Sequence, residues 1–400
     1  MEAIEAEVLS TETGLALLAA VSAVARPGPA DLARWRKSAS SEWVSAALRL
    51  VEGRRKGAPK FERADRMWFD PVGVEQATAE AVARHKARRF GEGGIVIDLC
   101  SGIGGDSLAL AGRNEVMAVD RDAGMARRTL WNSGVYEVSD RVMAVQARAE
   151  SVAIPDAARV HIDPDRRAGG SKRARNLSDY APGVDFLLSL VSSAQGGAIK
   201  LGPSSDFETH FGRPEFEIEL ISLGAECKEA TVWFGDLAGE GVRRRATSLP
   251  SGATWSDLDG PWGETHATRP LGPWVFDPDP SLVRSGLLDG FASAHGLGRI
   301  VPGVDLLTGL KLVESPFLAS FEVVESFPLD LKVLRREVAS RALGPLEIKT
   351  RGLDRTPESY RNQLRPEGPN PATLILIAER AGPSRAILAR RVSSRMMDDR

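Results

Sequence analysis

The chain has 400 residues, 42% of them hydrophobic, and a formal net charge of −2, a size that predicts two or three folding units with cores of their own. No run of about 18 apolar residues occurs, which argues against a membrane-spanning helix, and two cysteines, Cys100 and Cys227, are too few for a disulfide framework or a cysteine-rich zinc site. The acidic opening Met1-Glu-Ala-Ile-Glu lacks the basic-then-apolar order of a secretory signal, so a cytoplasmic protein is expected.

Residues 10–60 read as helices. Leu15, Leu17, Leu18, Val21 and Val24 share one apolar face, Pro27-Gly28-Pro29 breaks the run, and a second stretch carries Trp35, Trp43, Leu48 and Val51. A further helix is expected over 73–90, ended by Gly91-Glu-Gly-Gly94. Then strands begin to alternate with helices. Ile95–Asp98 is a strand, followed by a glycine loop and a helix at Ser107–Ala111. Glu115–Val119 is a strand ending in Asp120, Ala123–Asn132 a helix, and Val142–Val145 a strand. Arg159–Ile162 is a strand ending at Asp163-Pro164, Val184–Ser193 a helix, and Gly197–Lys200 a fifth strand. Such alternation implies a parallel sheet with right-handed crossovers, an α/β fold. Phe216–Ser222 and Glu229–Phe234 are placed to close that sheet, one of them reversed.

After Gly235 the sequence is rich in Gly, Pro and Trp and reads as irregular to about Pro273, with a helix from Pro280 to His295. From about Phe317 a small α+β pattern follows: strand Phe321–Phe327, helix Leu329–Arg341, strand Leu346–Thr350, helix Pro357–Gln363, and strands Ala372–Ile377 and Ala386–Arg390. The expected organisation is a helical region at 1–70, an α/β core at 71–235, a connecting region at 236–316 and the α+β domain at 317–400. From Asp330 onward there are fifteen Lys/Arg against nine Asp/Glu. That surplus suits either a solvated surface or a polyanionic partner.

The chemistry concentrates on Asp98-Leu-Cys-Ser-Gly102-Ile-Gly104-Gly105, directly after a strand and before a helix. Glycines there allow backbone angles closed to other residues and let a ligand approach the main chain. Asp120 ends the next strand, where an acid is placed for a ribose diol. A dinucleotide site would want its third glycine at position 107, which is Ser107. An acid ahead of the glycines, here Asp98, is instead what a methyltransferase wants. The five histidines are scattered without ligand spacing, and no metal is expected. Cys100 reads as a small packing residue within the loop.

On these residues the chain resembles bacterial class I S-adenosylmethionine-dependent methyltransferases that carry a C-terminal THUMP-like domain. Val96–Asp106 is also similar to the first motif of trimethylguanosine synthases. Glu75-Gln76-Ala-Thr78 matches the segment packed over the cofactor in that family, placed on the helix ahead of the core. Ser320-Phe-Glu-Val, Leu346–Gly352 and Ala372–Ile375 resemble the THUMP-like module. The resemblance implies a Rossmann-like methyltransferase sheet with an N-terminal helical segment and the C-terminal α+β domain. It implies that Asp98, Gly102 and Gly104 hold the methionine end of S-adenosylmethionine and Asp120 the ribose, with Gln76, Thr78, Cys100, Gly105 and Arg121 also expected at the cofactor. The third strand ends Ala147-Arg148-Ala149, with no acid before Glu150. Either Glu150 or the main chain is left to hold the adenine amine.

Asp163-Pro164-Asp165-Arg166-Arg167 occupies the place where methyltransferases acting on base amines carry Asn/Asp-Pro-Pro-Tyr/Phe. The acid and proline are kept; the aromatic is not. Asp163, Pro164 and Arg166 are the expected catalytic residues, Asp163 to orient the nucleophile or accept its proton. Arg166 or Arg167 is suited to stack on a base or bind a phosphate; a surface loop shared with Lys172, Arg173 and Arg175 is the plainer reading. Lys200 either faces the same cleft or simply ends its strand. Lys349 and Arg351 are expected to contact substrate, together with Lys332, Arg335 and Arg336. Three functions follow: an RNA methyltransferase, a small-molecule methyltransferase favoured by the missing aromatic, and a non-catalytic RNA- or partner-binding protein that retains a cofactor pocket.

Overall fold

The structure is a computed structural model that describes residues 8, 11–166, 176–262, 268–378 and 384–392. The chain divides into two compact units, one of residues 1–217 and 229–240, the other of 218–228 and 241–400.

In the first unit, helices Glu12–Ser22, Pro29–Trp35 and Ser41–Gly57 pack through Leu17, Leu18, Val21, Trp35 and Leu50. Thr11 and Ser40 cap two of them with side-chain oxygens that accept from Gly14 N and Trp43 N. The helix expected over 73–90 is two, Pro71–Gln76 and Glu80–Arg89. Ala77 is extended (ψ 137°) and Lys60 Nζ donates to the carbonyls of Val74, Glu75 and Ala77, each at 2.9 Å. A lysine thus satisfies the carbonyls that a continuing helix would have bonded. Thr78 therefore lies in the break between the helices and not on one.

The sheet of this unit has strands β1 (Ile95–Leu99), β2 (Glu115–Asp120), β3 (Val142–Gln146), β4 (Arg159–Ile162) and β5 (Gly196–Leu201) in the parallel order β3-β2-β1-β4-β5. Beyond β6 (Glu217–Leu223), β7 (Glu226–Gly235) returns antiparallel to β5. Phe90, Val96, Val116, Ala198 and Trp233 form part of its buried core. Chain order reverses at β1, which has β2 on one side and β4 on the other. In open α/β sheets the crevice beyond the strand ends at such a reversal is where ligands bind. The end of β1 with the loop after it carries Asp98–Gly105, and the loop after β4 carries Asp163–Arg166.

In the second unit, β6 pairs in parallel with β8 (Arg244–Leu249), which forms a hairpin with β9 (Ala253–Ser256). A seven-stranded sheet has the order β11-β12-β10-β13-β16-β15-β14. Its strands are β10 (Trp274–Pro278), β11 (Gly298–Arg299), β12 (Leu307–Gly309), β13 (Leu318–Pro328), β14 (Leu343–Arg351), β15 (Asn370–Ile377) and β16 (Arg385–Arg391). The stretch expected to be irregular after Gly235 thus holds strands. β8 reads Arg-Arg-Ala-Thr-Ser-Leu and escapes apolar patterning because its buried polar groups are satisfied: Thr247 donates to Glu219, and Ser248 to Asp279 at 3.1 Å. The helix expected from Pro280 to His295 breaks into Pro280–Arg284 and Leu288–Ala294, with Gly286 at φ +76° between them. The α+β pattern of the C-terminal stretch is present, helices Leu331–Ser340 and Pro357–Leu364 packing through Leu334, Val338, Tyr360 and Leu364 onto Leu346, Ile348 and Leu374. Among the described residues no helix is long and apolar enough to cross a membrane.

Candidate functional site

The loop after β1 is wound tightly. Cys100, Gly102 and Gly104 all have positive φ, at 61°, 57° and 91°, and Gly104 N donates to Ser101 O at 2.9 Å to close a turn. Side chains from the next strand and helix hold it there. Asp120 Oδ2 accepts from Gly102 N, and its Oδ1 from Asp122 N, both at 2.9 Å. Thr129 Oγ1 donates to Gly102 O and Asn132 Nδ2 to Ile103 O, again at 2.9 Å. Asp120 therefore shapes the loop as well as ending β2. Burial raises its carboxyl above the usual range, against the pull of those two amide donors.

Gln76, Thr78, Asp98, Cys100, Gly102, Gly105, Asp120, Arg121 and Glu150 line one cavity of about 490 Å³, a volume suited to a cofactor-sized ligand. Asp163, Pro164, Asp165 and Arg166 line it too. Gly104 does not: a Cβ there would meet Thr129 at 3.1 Å, so this glycine serves the turn and its packing. Gly102 has open space where a Cβ would stand, and is the glycine at which a ligand can come close to the main chain. Thr78 is buried with its hydroxyl committed to Asp106 Oδ2 at 2.6 Å. Arg121 reaches Asp165 at 3.4 Å, and Glu150 pairs with Arg148 at 3.1 Å. Burial first, then the carboxylates of Asp120, Asp163 and Asp98, push the Cys100 thiol well up. That suits a packing residue and not a nucleophile.

The wall after β4 is built by Asp163 and its neighbours. Asp163 accepts from Lys200 Nζ, and Asp165 exchanges main-chain bonds with Ala181 at 2.8 and 3.1 Å. Lys200 is buried on β5 and does not line the cavity. Of the two placements open to it, a cleft-facing cation or a strand end, Lys200 takes neither outright: it supports Asp163, which lines the cavity. Arg166 lies beside Gly202, where a Cβ would come within 2.7 Å of its Nη1. Arg167, Lys172, Arg173 and Arg175 lie outside the described residues.

In the second unit, Lys349 and Arg351 both pair with Asp277, Lys349 at 2.8 Å, and Lys349 also reaches Glu347 at 3.4 Å. Both cations expected to contact a substrate are engaged by Asp277 on β10, a strand not expected from the sequence. Lys332, Arg335 and Arg336 are exposed.

Ser101 was not expected at the site. Its Oγ is buried, borders the cavity and has no hydrogen-bond partner among the described residues. An orphaned hydroxyl, an open main chain at Gly102 and the Asp120 carboxylate fit the methionine and ribose groups of S-adenosylmethionine, the cofactor that the resemblance implies. No group of three or more His, Cys, Asp or Glu is placed to hold a metal among the described residues.

Comparisons with known proteins converge on this fold. Residues 93–172 match the family described as RNA cap guanine-N2 methyltransferase, and residues 318–391 the family described as THUMP domain-like. Two uncharacterized S-adenosylmethionine-dependent methyltransferases of Mycobacterium tuberculosis, from strains CDC 1551 and H37Rv, are 35% identical over 316 residues, 78% of this chain and 85% of theirs. A crystal structure from Porphyromonas gingivalis W83, described as a candidate methyltransferase, superposes with a TM-score of 0.77 over 95% of this chain and 98% of its own, at 18% identity.

Proposed function

Because the chain belongs to the S-adenosylmethionine-dependent methyltransferases, we propose that it transfers the methyl group to a base amine of RNA. The enzyme uses S-adenosylmethionine, which supplies a methyl on a positively charged sulfur; with the leaving group already activated, alignment can carry much of the rate. Gly102, Ser101 and Asp120 hold the cofactor against the β1 side of the cavity. Asp163 faces it from the β4 side, its carboxylate fixed by Lys200. A carboxylate so held accepts a hydrogen bond from an amine, turns the nitrogen lone pair toward the methyl, and receives the proton as the new bond forms.

The observation that carries this reading is the lysine-anchored Asp163 lining one cavity with Asp98 and Asp120. The place of an aromatic is taken by Arg166, whose planar guanidinium can stack on a base and neutralise phosphate. RNA is supported by the description of the family that residues 93–172 match, RNA cap guanine-N2 methyltransferase.

The test uses S-adenosylmethionine carrying a labelled methyl, total RNA from cells lacking the gene, and a small-metabolite extract of the same cells. Label in a base-methylated nucleoside after RNA digestion, absent with Asp163→Ala, is expected. Label confined to small molecules would sink the RNA assignment and favour the small-molecule reading.

A further inference from the structure

Beneath the cavity lies a buried polar chain that the mechanism above does not use. Lys86, on the helix Glu80–Arg89, is only 1% exposed. Its ammonium has three partners, Asp106 Oδ1 at 2.8 Å, Glu229 Oε1 at 2.9 Å and His161 Nε2 at 3.2 Å. Burial opposes charge on Lys86 and on Asp106. Their attraction, aided by Glu229, overrides it, raising the lysine above and drawing the aspartate below their ordinary values.

An ammonium has N–H donors and no acceptor, so in this contact His161 Nε2 accepts. The proton of the neutral ring is then on Nδ1, which stands 2.7 Å from Asp98 Oδ1. His161 and Asp98 are register partners on β4 and β1, which aims both side chains to the same face. The Ser107 hydroxyl donates to the other Asp98 oxygen. Each carboxylate oxygen keeps a further lone pair, and Asp98 borders the cavity. The cluster sets three carboxylates, those of Asp98, Asp106 and Glu229, against the Lys86 ammonium; Lys200 also acts on Asp106 but is paired with Asp163, so the surplus of negative charge remains and favours a cationic ligand group.

We propose that His161 is a positioning residue for the cofactor: with its tautomer locked by Lys86, it fixes the Asp98 carboxylate so that its remaining lone pairs receive the α-ammonium of the methionine end. A histidine that merely filled the core would need only satisfied nitrogens. This one spends its single N–H on the buried acid that lines the cavity. The inference rests on cofactor binding and is independent of the acceptor.

The test is calorimetric titration of S-adenosylhomocysteine into wild type, His161→Asn and His161→Leu, with thermal midpoints measured alongside. Asn keeps an N–H near the Nδ1 position and Leu keeps none, while both remove the acceptor facing Lys86. Asn is expected to bind within about threefold of wild type and Leu about tenfold or more weaker, at similar midpoints. Equal affinity in Asn and Leu would overturn the proposal. Should either variant fail to fold, long-range proton–nitrogen NMR of the ligand-free wild-type enzyme decides. A neutral Nδ1–H ring at His161 supports the proposal, and an Nε2–H or doubly protonated ring refutes it.

Discussion

Lys200, buried on β5, reaches sideways to Asp163 at the end of β4, so the acid of the acceptor wall stands on a cation of the neighbouring strand. The lysine is 6% exposed and the aspartate 27%, which divides the labour: one partner is enclosed and the other meets the cavity. Without its cation Asp163 would be free to turn away from the acceptor.

Lys200→Met should therefore slow methyl transfer by roughly tenfold or more while S-adenosylhomocysteine affinity stays within about threefold, since the cofactor side is untouched. Stability should fall by about 1–3 kcal/mol, less than for a fully enclosed pair because Asp163 is partly solvated. Urea unfolding and single-turnover transfer check the two parts. Unchanged turnover with a clear stability loss would reduce Lys200 to a structural role.

The two positive-φ glycines of the loop should part ways when changed to alanine. Gly102→Ala carries a backbone penalty of about 1 kcal/mol, but its methyl meets open space on the cavity side. Cofactor affinity should fall by roughly tenfold or more as the ligand loses its close approach to the main chain. Gly104→Ala drives its methyl into Thr129 and should lose about 2 kcal/mol or more of stability. Paired calorimetry and urea melts on both variants would show it, and the opposite pattern would exchange the roles assigned to the two residues.

The strand and loop register of the α/β core was legible because β1, β4 and β5 are short apolar runs bounded by turn residues, and each ends at a residue of chemical interest. Strand ends at a chain reversal make a crevice, so Asp98, Asp120 and Asp163 could be brought to one place on paper. The polar chain behind them was not legible. His161 sits in the apolar run Arg-Val-His-Ile and its partner Lys86 in a helix rich in Arg, where nothing in sequence distinguishes a buried lysine from a solvated one. β8 was missed for a related cause, its polar groups being satisfied by distant partners, whereas β10 is a five-residue, largely apolar run, Trp-Val-Phe-Asp-Pro, set between prolines that mask it as loop. The same cause hid Asp277 and made Lys349 and Arg351 look available.

Glu347 offers a pH signature in the second unit. The Arg391 guanidinium donates to it at 2.7 and 3.1 Å, and with Lys349 and Thr373 it outweighs burial, drawing the carboxyl down to about 2. A depressed acid stabilises the fold above its unfolded value of about 4.3, and that stability is lost as pH falls toward the folded value. After discounting for solvent screening at this half-exposed pair, the contribution is about 1 kcal/mol. Glu347→Gln should lower the urea midpoint at pH 7, and the gap from wild type should narrow between pH 5 and 3. A gap that stays constant would place the effect in packing.

Cations that are exposed and cations that are paired should respond differently to RNA. Lys349 and Arg351 are held by Asp277, which is 12% exposed, so alanine at either leaves a largely enclosed carboxylate with less compensation. The expected result is a loss of about 1–3 kcal/mol in stability with little change in how RNA affinity depends on salt. Lys332 and Arg336 lie exposed on the helix Leu331–Ser340, Arg336 with only a surface pair to Glu337 at 3.3 Å. If that helix meets the phosphate chain, each alanine there lowers the slope of log affinity against log salt by about one unit with stability almost unmoved. Filter binding of a single RNA across a salt series, run on all four variants, separates the two groups. A slope change at Lys349 or Arg351 as large as at Lys332 would mean that Asp277 releases its cations to the RNA, turning the ion-pair cluster from a fastening of the sheet into part of the binding surface.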